Sequence, residues 1–162
     1  MSQSEHRHRL PAAELQLSGR QWLAIWQNLT QRGQLKVIHS SAARATAMVQ
    51  ELRSLSRLRQ TEPSYLNGYD RLFRHISLWL LDHGYQLTNK QPHQTLLQIT
   101  QHWQDLASVS LMIQARHGLK YGENSEPSEV AVLCLIALLG RFDATDAQAC
   151  QSLLPLDSPS ML

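Results

Sequence analysis

The residues best suited to chemistry stand together at the end of an apolar run. Val109 to Gly122 reads VSLMIQARHGLKYG, and its polar end brings Arg116, His117, Lys120 and Tyr121 close together in sequence. A guanidinium grips phosphate oxygens through paired N–H donors, and an imidazole trades protons near neutral pH. On a helix, Val109, Leu111, Met112 and Ile113 face a core, while Arg116 sits about one turn beyond with its guanidinium free for a phosphate. Tyr121 follows five residues after Arg116. That is roughly a turn and a half, so a continuing helix lets both side chains reach one pocket. Gly118 is expected to loosen or end the helix.

Further candidates are scattered along the chain, each with a plainer use beside the functional one. Arg53 and Arg57 are one helical turn apart and spaced to clamp a backbone phosphate; a solvated face is the alternative. His93 follows Pro92 at the start of a helix, where exposed N–H groups attract anions; capping, or facing water, is the alternative. Arg71 with His75, and Asp70 with Arg74, are i,i+4 pairs for which bridging within the helix suffices. Arg116 can likewise cap its own helix through Glu123 or Glu126, with Tyr121 filling a core edge. His6 and His8 alternate in a polar arm and lack further donors, and Cys134 and Cys150 have no metal-ligand spacing. No metal and no cofactor are expected, and the cysteines read as reduced thiols of a cytoplasmic protein.

Helices must position these groups. Leu, Ala, Gln and Arg are abundant in the 162 residues, Gly and Pro fall mostly at gaps, and an all-α bundle of about five to six helices is expected. Residues 1–18 read as a flexible polar arm, 19–142 as the bundle, and 143–162 as a C-terminal extension or tail. Ser18 is placed to cap a helix over Gly19 to Arg32 that buries Trp22, Leu23, Ile25, Trp26 and Leu29, and Gly33 closes it. Ser40 or Ser41 opens a helix to about Gln60 with Ala45, Met48, Val49, Leu52, Leu55 and Leu58 as its apolar set. From Pro63 the pattern Leu66, Tyr69, Leu72, Phe73, Ile76, Leu80 runs at helical spacing to His83 and Gly84. A polar connection, Tyr85 to Gln91, leads to a helix through Leu96, Leu97, Ile99 and Trp103. Ser125 and Pro127 precede Val130 to Leu139, which is apolar on nearly every side and must be central or half in a dimer interface.

Charge is asymmetric. Residues 1–60 carry nine Lys and Arg against three Asp and Glu, and the remainder carries six against ten. A basic segment beside an acidic one attracts nucleic acid or pairs internally. The longest apolar run is about half the length of a membrane span, and the N-terminus lacks the hydrophobic segment of a signal peptide, so a soluble protein is expected.

Four short stretches in fixed order carry a family resemblance: Asn28-Leu-Thr-Gln-Arg-Gly-Gln-Leu-Lys36, Asp82-His83-Gly84-Tyr85, Pro92-His93-Gln94-Thr95 and Arg116-His117-Gly118-Leu119-Lys120-Tyr121-Gly122. From about Gly19 to Arg141 the chain resembles small bacterial proteins of the HEPN superfamily. The resemblance implies an up-and-down helical bundle that commonly forms a homodimer, bringing two copies of one polar motif together. Active members are metal-independent ribonucleases whose motif is an arginine, a polar neighbour, and a histidine four to six residues on. Arg116 matches the arginine and His117 the neighbour, but Tyr121 stands where the histidine is expected. The reading favoured is a protein of a toxin–antitoxin, defence or RNA-related system that binds RNA, a nucleotide or a protein partner with weak or no catalysis. In it Arg53, Arg57, His93 and Lys120 contact nucleic acid. The alternative is an endoribonuclease using Arg116 with His117 or Tyr121 at a dimer interface. A third reading makes Tyr121 the adenylylation acceptor of a cognate nucleotidyltransferase antitoxin.

Overall fold

A computed structural model describes residues 17–122 and 126–155. His6, His8, Glu123, Ser125, nearly all of the expected arm and the chain from Leu156 onward lie outside the described residues. Among the described residues the fold is all-α apart from one small ribbon. Its helices are α1 (Gly19–Gln31), α2 (Ser41–Arg59), α3 (Tyr65–Asp82), α4 (Pro92–Thr100), α5 (Leu106–Lys120), α6 (Glu129–Gly140) and α7 (Ala144–Ala149), followed by a 3₁₀ turn, Cys150–Leu153. Two strands, β1 (Leu35–Val37) and β2 (Tyr85–Leu87), complete it.

Local chemistry sets the helix ends. Ser18 and Gln21 form a reciprocal capping box at α1, and Ser40, Ser64, Asp105, Ser128 and Asp143 each accept a backbone N–H at the start of α2, α3, α5, α6 and α7. Gly33 and Gly84 take φ of +78° and +90° after α1 and α3. A side chain disfavours that conformation, so glycine ends each helix and turns the chain into a short strand. The strands pair antiparallel with Lys36 opposite Gln86. The expected polar connection after Gly84 is therefore partly a strand, and three residues are too few for strand alternation to register in sequence. Gly118 does not end α5 as expected. It is buried inside the helix, which runs on to Lys120 before Gly122 takes φ +73°. Packing outweighs a propensity cost of about 1 kcal/mol.

The core forms around α3 and α6. Tyr69, Leu72, Ile76 and Leu80 of α3 are fully buried, as are Ala131, Leu135, Leu138 and Leu139 of α6. The apolar surface of α6 is thus largely consumed within one chain and no longer argues for a dimer interface. All four tryptophans, Trp22, Trp26, Trp79 and Trp103, converge in one cluster, with Arg141 4.2 Å above the Trp103 ring. Leu23, expected in the core beside them, is 42% exposed.

The apolar set expected for α2 is mostly solvated: Leu55 is buried, but Val49 and Leu52 are about half exposed because α2 leans chiefly on α3. Of the two expectations for residues 143–162, extension or tail, the described part is an extension. Ala147, Cys150 and Leu154 reach the core, so the bundle continues through Leu154. No helix among the described residues is long and apolar enough to cross a membrane.

Candidate functional site

Two polar constellations lie in the bundle, and their hydrogen bonding separates them. The first centres on Asp146, which is wholly buried. Its carboxylate accepts from Arg59 Nε at 2.9 Å and a terminal Arg59 nitrogen at 2.7 Å, from Arg71 at 3.1 Å and from His75 Nε2 at 2.7 Å. A carboxylate only accepts, so His75 carries its proton on Nε2. Arg71 also donates to Asn67 and to the Leu58 carbonyl. Burial pushes the Asp146 carboxyl upward, but the bonds and charges of Arg59 and His75 prevail and hold it down at about 2. Ligand atoms of His75, Asp143 and Asp146 lie within 4.8 Å of one another. Both Asp146 oxygens are already taken by guanidinium groups, whose charge opposes a cation there, so this is an interior clamp rather than a metal centre.

The sequence pairings within α3 are replaced here. Arg71 and His75 meet on Asp146 rather than each other, and Arg74 gives its bonds, at 2.9 and 3.0 Å, to Glu51 of α2 rather than to Asp70.

The second constellation is open to solvent. A groove of about 490 Å³ is lined by Ser54, Arg57, Leu58, Thr61, Asp70, Arg74, Arg116 and Lys120. Three helices supply its four cations: Arg57 from α2, Arg74 from α3, Arg116 and Lys120 from α5. Arg116 and Lys120 share one face of α5 because they are one turn apart. The Arg116 guanidinium lies 5.6 Å from the Tyr69 ring centre, and its Nε is buried without a hydrogen-bond partner. Burial raises the Asp70 carboxyl, against the opposing pull of Arg116, Arg74 and Lys120.

His93 stands beside this groove. Its Nδ1 is 2.9 Å from the hydroxyl of the fully buried Tyr69, and its ring rests 5.5 Å from Phe73. Burial, then the charges of Arg116 and Lys120, push the imidazole below its ordinary value. His93 is therefore half-buried and partnered, not the exposed helix start expected.

The structure sorts the expected site residues. Arg57, Arg116 and Lys120 line one groove, and His93 senses two of them. Arg53 is exposed on α2 and is not among the groove-lining residues. His117 and Tyr121 are exposed, with ring centres 4.6 Å apart. Tyr121 is 63% exposed and fills no core edge. Asp70, Arg74 and Tyr69 belong to the surroundings of Arg116 but were not legible as such, since their only sequence signal was helical spacing. Burial pushes the Cys134 thiol up to about 12 and Cys150 to about 11, so both are protonated and unreactive at neutral pH.

Chemically, the groove offers cations, one half-buried carboxyl and a neighbouring imidazole. Residues of those types are chemically able to hold an oxyanion such as phosphate. No known protein family, curated protein or solved structure matches the chain.

Proposed function

We propose that this is a HEPN-like helical protein that binds a phosphate-bearing ligand, RNA or nucleotide, in the groove between α2, α3 and α5, with weak or no catalysis. One observation carries the reading: Arg57, Arg74, Arg116 and Lys120, drawn from three helices, line a single groove. Four cations crowded together repel one another, and Glu51 and Asp70 offset only part of that charge. A phosphate supplies the remainder. The proposed biological setting is a bacterial toxin–antitoxin, defence or RNA-related system, as the HEPN resemblance implies, and a homodimer pairing two Arg116 motifs belongs to the same proposal.

Salt dependence tests the binding. Affinity for a short single-stranded RNA should fall steeply as salt rises, and Arg57→Ala should reduce the slope by roughly one counterion while Arg53→Ala, outside the groove, leaves it nearly unchanged. Arg116→Ala should weaken binding at every salt concentration. Affinity that ignores salt, or equal effects of the two α2 substitutions, would refute the assignment.

The motif resemblance carries a second reading, in which the natural protein cleaves RNA poorly for want of a base, Tyr121 standing exposed next to the groove residue Lys120. A phenol with a pKa of about 10 is a poor proton acceptor at neutral pH. Tyr121→His should then raise metal-independent cleavage by roughly two orders of magnitude, and Arg116→Ala should remove the gain. Cleavage by the natural protein that survives Arg116→Ala would dismiss it.

A further inference from the structure

The charge balance of the groove narrows its ligand. Glu51 accepts both short bonds from Arg74, and Asp70 offsets one more of the four lining cations, which leaves two positive charges. An internal phosphodiester carries a single negative charge. A phosphate monoester, whose second pKa is about 6, carries nearly two at neutral pH. The volume of about 490 Å³ is of the order that holds one nucleotide. Arg116 Nε is buried without a hydrogen-bond partner, so that nitrogen does not tie the guanidinium to another side chain.

We propose that the groove takes a phosphate monoester, on a free nucleotide or at an RNA end, with Arg116 as its central contact and His93 taking up a proton as it binds. The inference rests on the phosphate-binding reading above and adds the ligand's charge state and the residue that responds to it.

The surroundings of His93 supply the coupling. It shares Tyr69 with Arg116 of α5, the imidazole 2.9 Å from the hydroxyl and the guanidinium 5.6 Å from the ring centre, and the charges of Arg116 and Lys120 act on it. From α3 it meets Tyr69 and Phe73, with Asp70 adjoining Tyr69. Its own helix contributes no other charged residue. In the free protein burial first, and then the positive charges of Arg116 and Lys120, disfavour the imidazolium. A dianion seated among those cations reverses the sign and favours the imidazolium. Tyr69 accommodates both states without moving. Its hydroxyl can donate to an unprotonated Nδ1 and, with its proton turned away, accept from Nδ1–H, so the same 2.9 Å contact suits both states.

Calorimetry at low salt and pH 7, in two buffers of different ionisation enthalpy, reads both affinity and proton uptake. The probes are adenosine 5′-monophosphate and a five-nucleotide RNA ending in either a 5′-phosphate or a 5′-hydroxyl. The phosphorylated RNA should bind about tenfold more tightly than its hydroxyl twin, as the charge-assisted contacts to the terminal oxygens are worth at least that. Binding of the monophosphate itself assigns the site to free nucleotide; binding of phosphorylated RNA alone assigns it to an RNA end. In His93→Gln the uptake should give way to the small proton release of the phosphate itself, whose second pKa is about 6. Lys120→Ala, an exposed substitution that cannot unfold the bundle, should cut monoester affinity severalfold.

Equal affinity for the two RNAs would overturn the monoester inference while leaving the groove a phosphodiester site. Undiminished proton uptake in His93→Gln would overturn the role of His93. If no probe binds, the groove assignment itself fails.

Discussion

Replacing Asp146 by alanine should cost the protein much of its stability, and the structure says how the loss divides. Four donor contacts converge on this carboxylate from Arg59, Arg71 and His75. Arg71 and His75 have side chains only 5% and 10% exposed, whereas that of Arg59 is 40% exposed. Without Asp146, water rehydrates Arg59 but reaches Arg71 poorly. Removing one partner of a buried pair costs about 3–5 kcal/mol, against about 1 kcal/mol or less for a pair that solvent reaches. Asp146→Ala and Arg71→Ala should therefore each lose about 3–5 kcal/mol in urea unfolding at pH 7, and Arg59→Ala about 1 kcal/mol. In a domain of this size the larger loss lowers Tm by roughly 10 °C. A double-mutant cycle between positions 71 and 146 should return most of the coupling.

Acid supplies an independent reading of the same carboxylate. Its folded pKa, about 2, lies below the ordinary aspartate value, so its stabilising contribution is present above pH of about 4 and disappears as pH falls through 2. The gap in unfolding midpoint between natural protein and Asp146→Asn should narrow over that window. A loss below 1 kcal/mol for Asp146→Ala, or an Arg59→Ala cost equal to that of Arg71→Ala, would refute the reasoning.

Other outcomes follow from the same packing. Gly68 is buried in α3, where an added Cβ would come within 2.5 Å of Cys150 Sγ and 3.2 Å of Leu135; Gly68→Ala should destabilise by about 1–3 kcal/mol in urea titration despite alanine's better helix propensity. Cys134 and Cys150 are buried and stay protonated, so a thiol reagent at pH 7.5 should label neither until denaturant unfolds the chain; prompt labelling of folded protein would contradict the packing of α6 on the 3₁₀ turn. The unliganded His93 ring should titrate below pH 6.5 by NMR, and its stabilising neutrality is lost as pH falls through that lowered value. A His93 titration above pH 6.5 in the free protein would be inconsistent with its burial beside Arg116 and Lys120.

What was legible in the chain was whatever a single helix decides for itself. Ser18 as a cap, the glycine stops at Gly33 and Gly84, and the stripe along α3 follow from spacing within a few turns, and each stands as expected. The pairing of Arg116 with Lys120 is of the same kind. Failures occur where a residue finds its partner far along the chain. Arg71 and His75 looked self-sufficient at i,i+4, but a buried carboxylate 75 and 71 positions later competes better than a solvated neighbour does. That carboxylate sat in what read as an extension or tail, since a six-residue helix is too short to show periodicity and its one decisive residue is polar. The candidate site divides along the same line. Four to six residues past Arg116 the motif expects a histidine and meets Tyr121, exposed just beyond the end of α5. His93, whose imidazolium the Arg116 charge disfavours, is delivered by α4 from 23 positions upstream and anchored by Tyr69. The departure at Tyr121 therefore does not by itself decide whether the site holds an imidazole. Placement by a second helix decides that, which is why the proton count in the presence of ligand, rather than the linear motif, tests what the groove does.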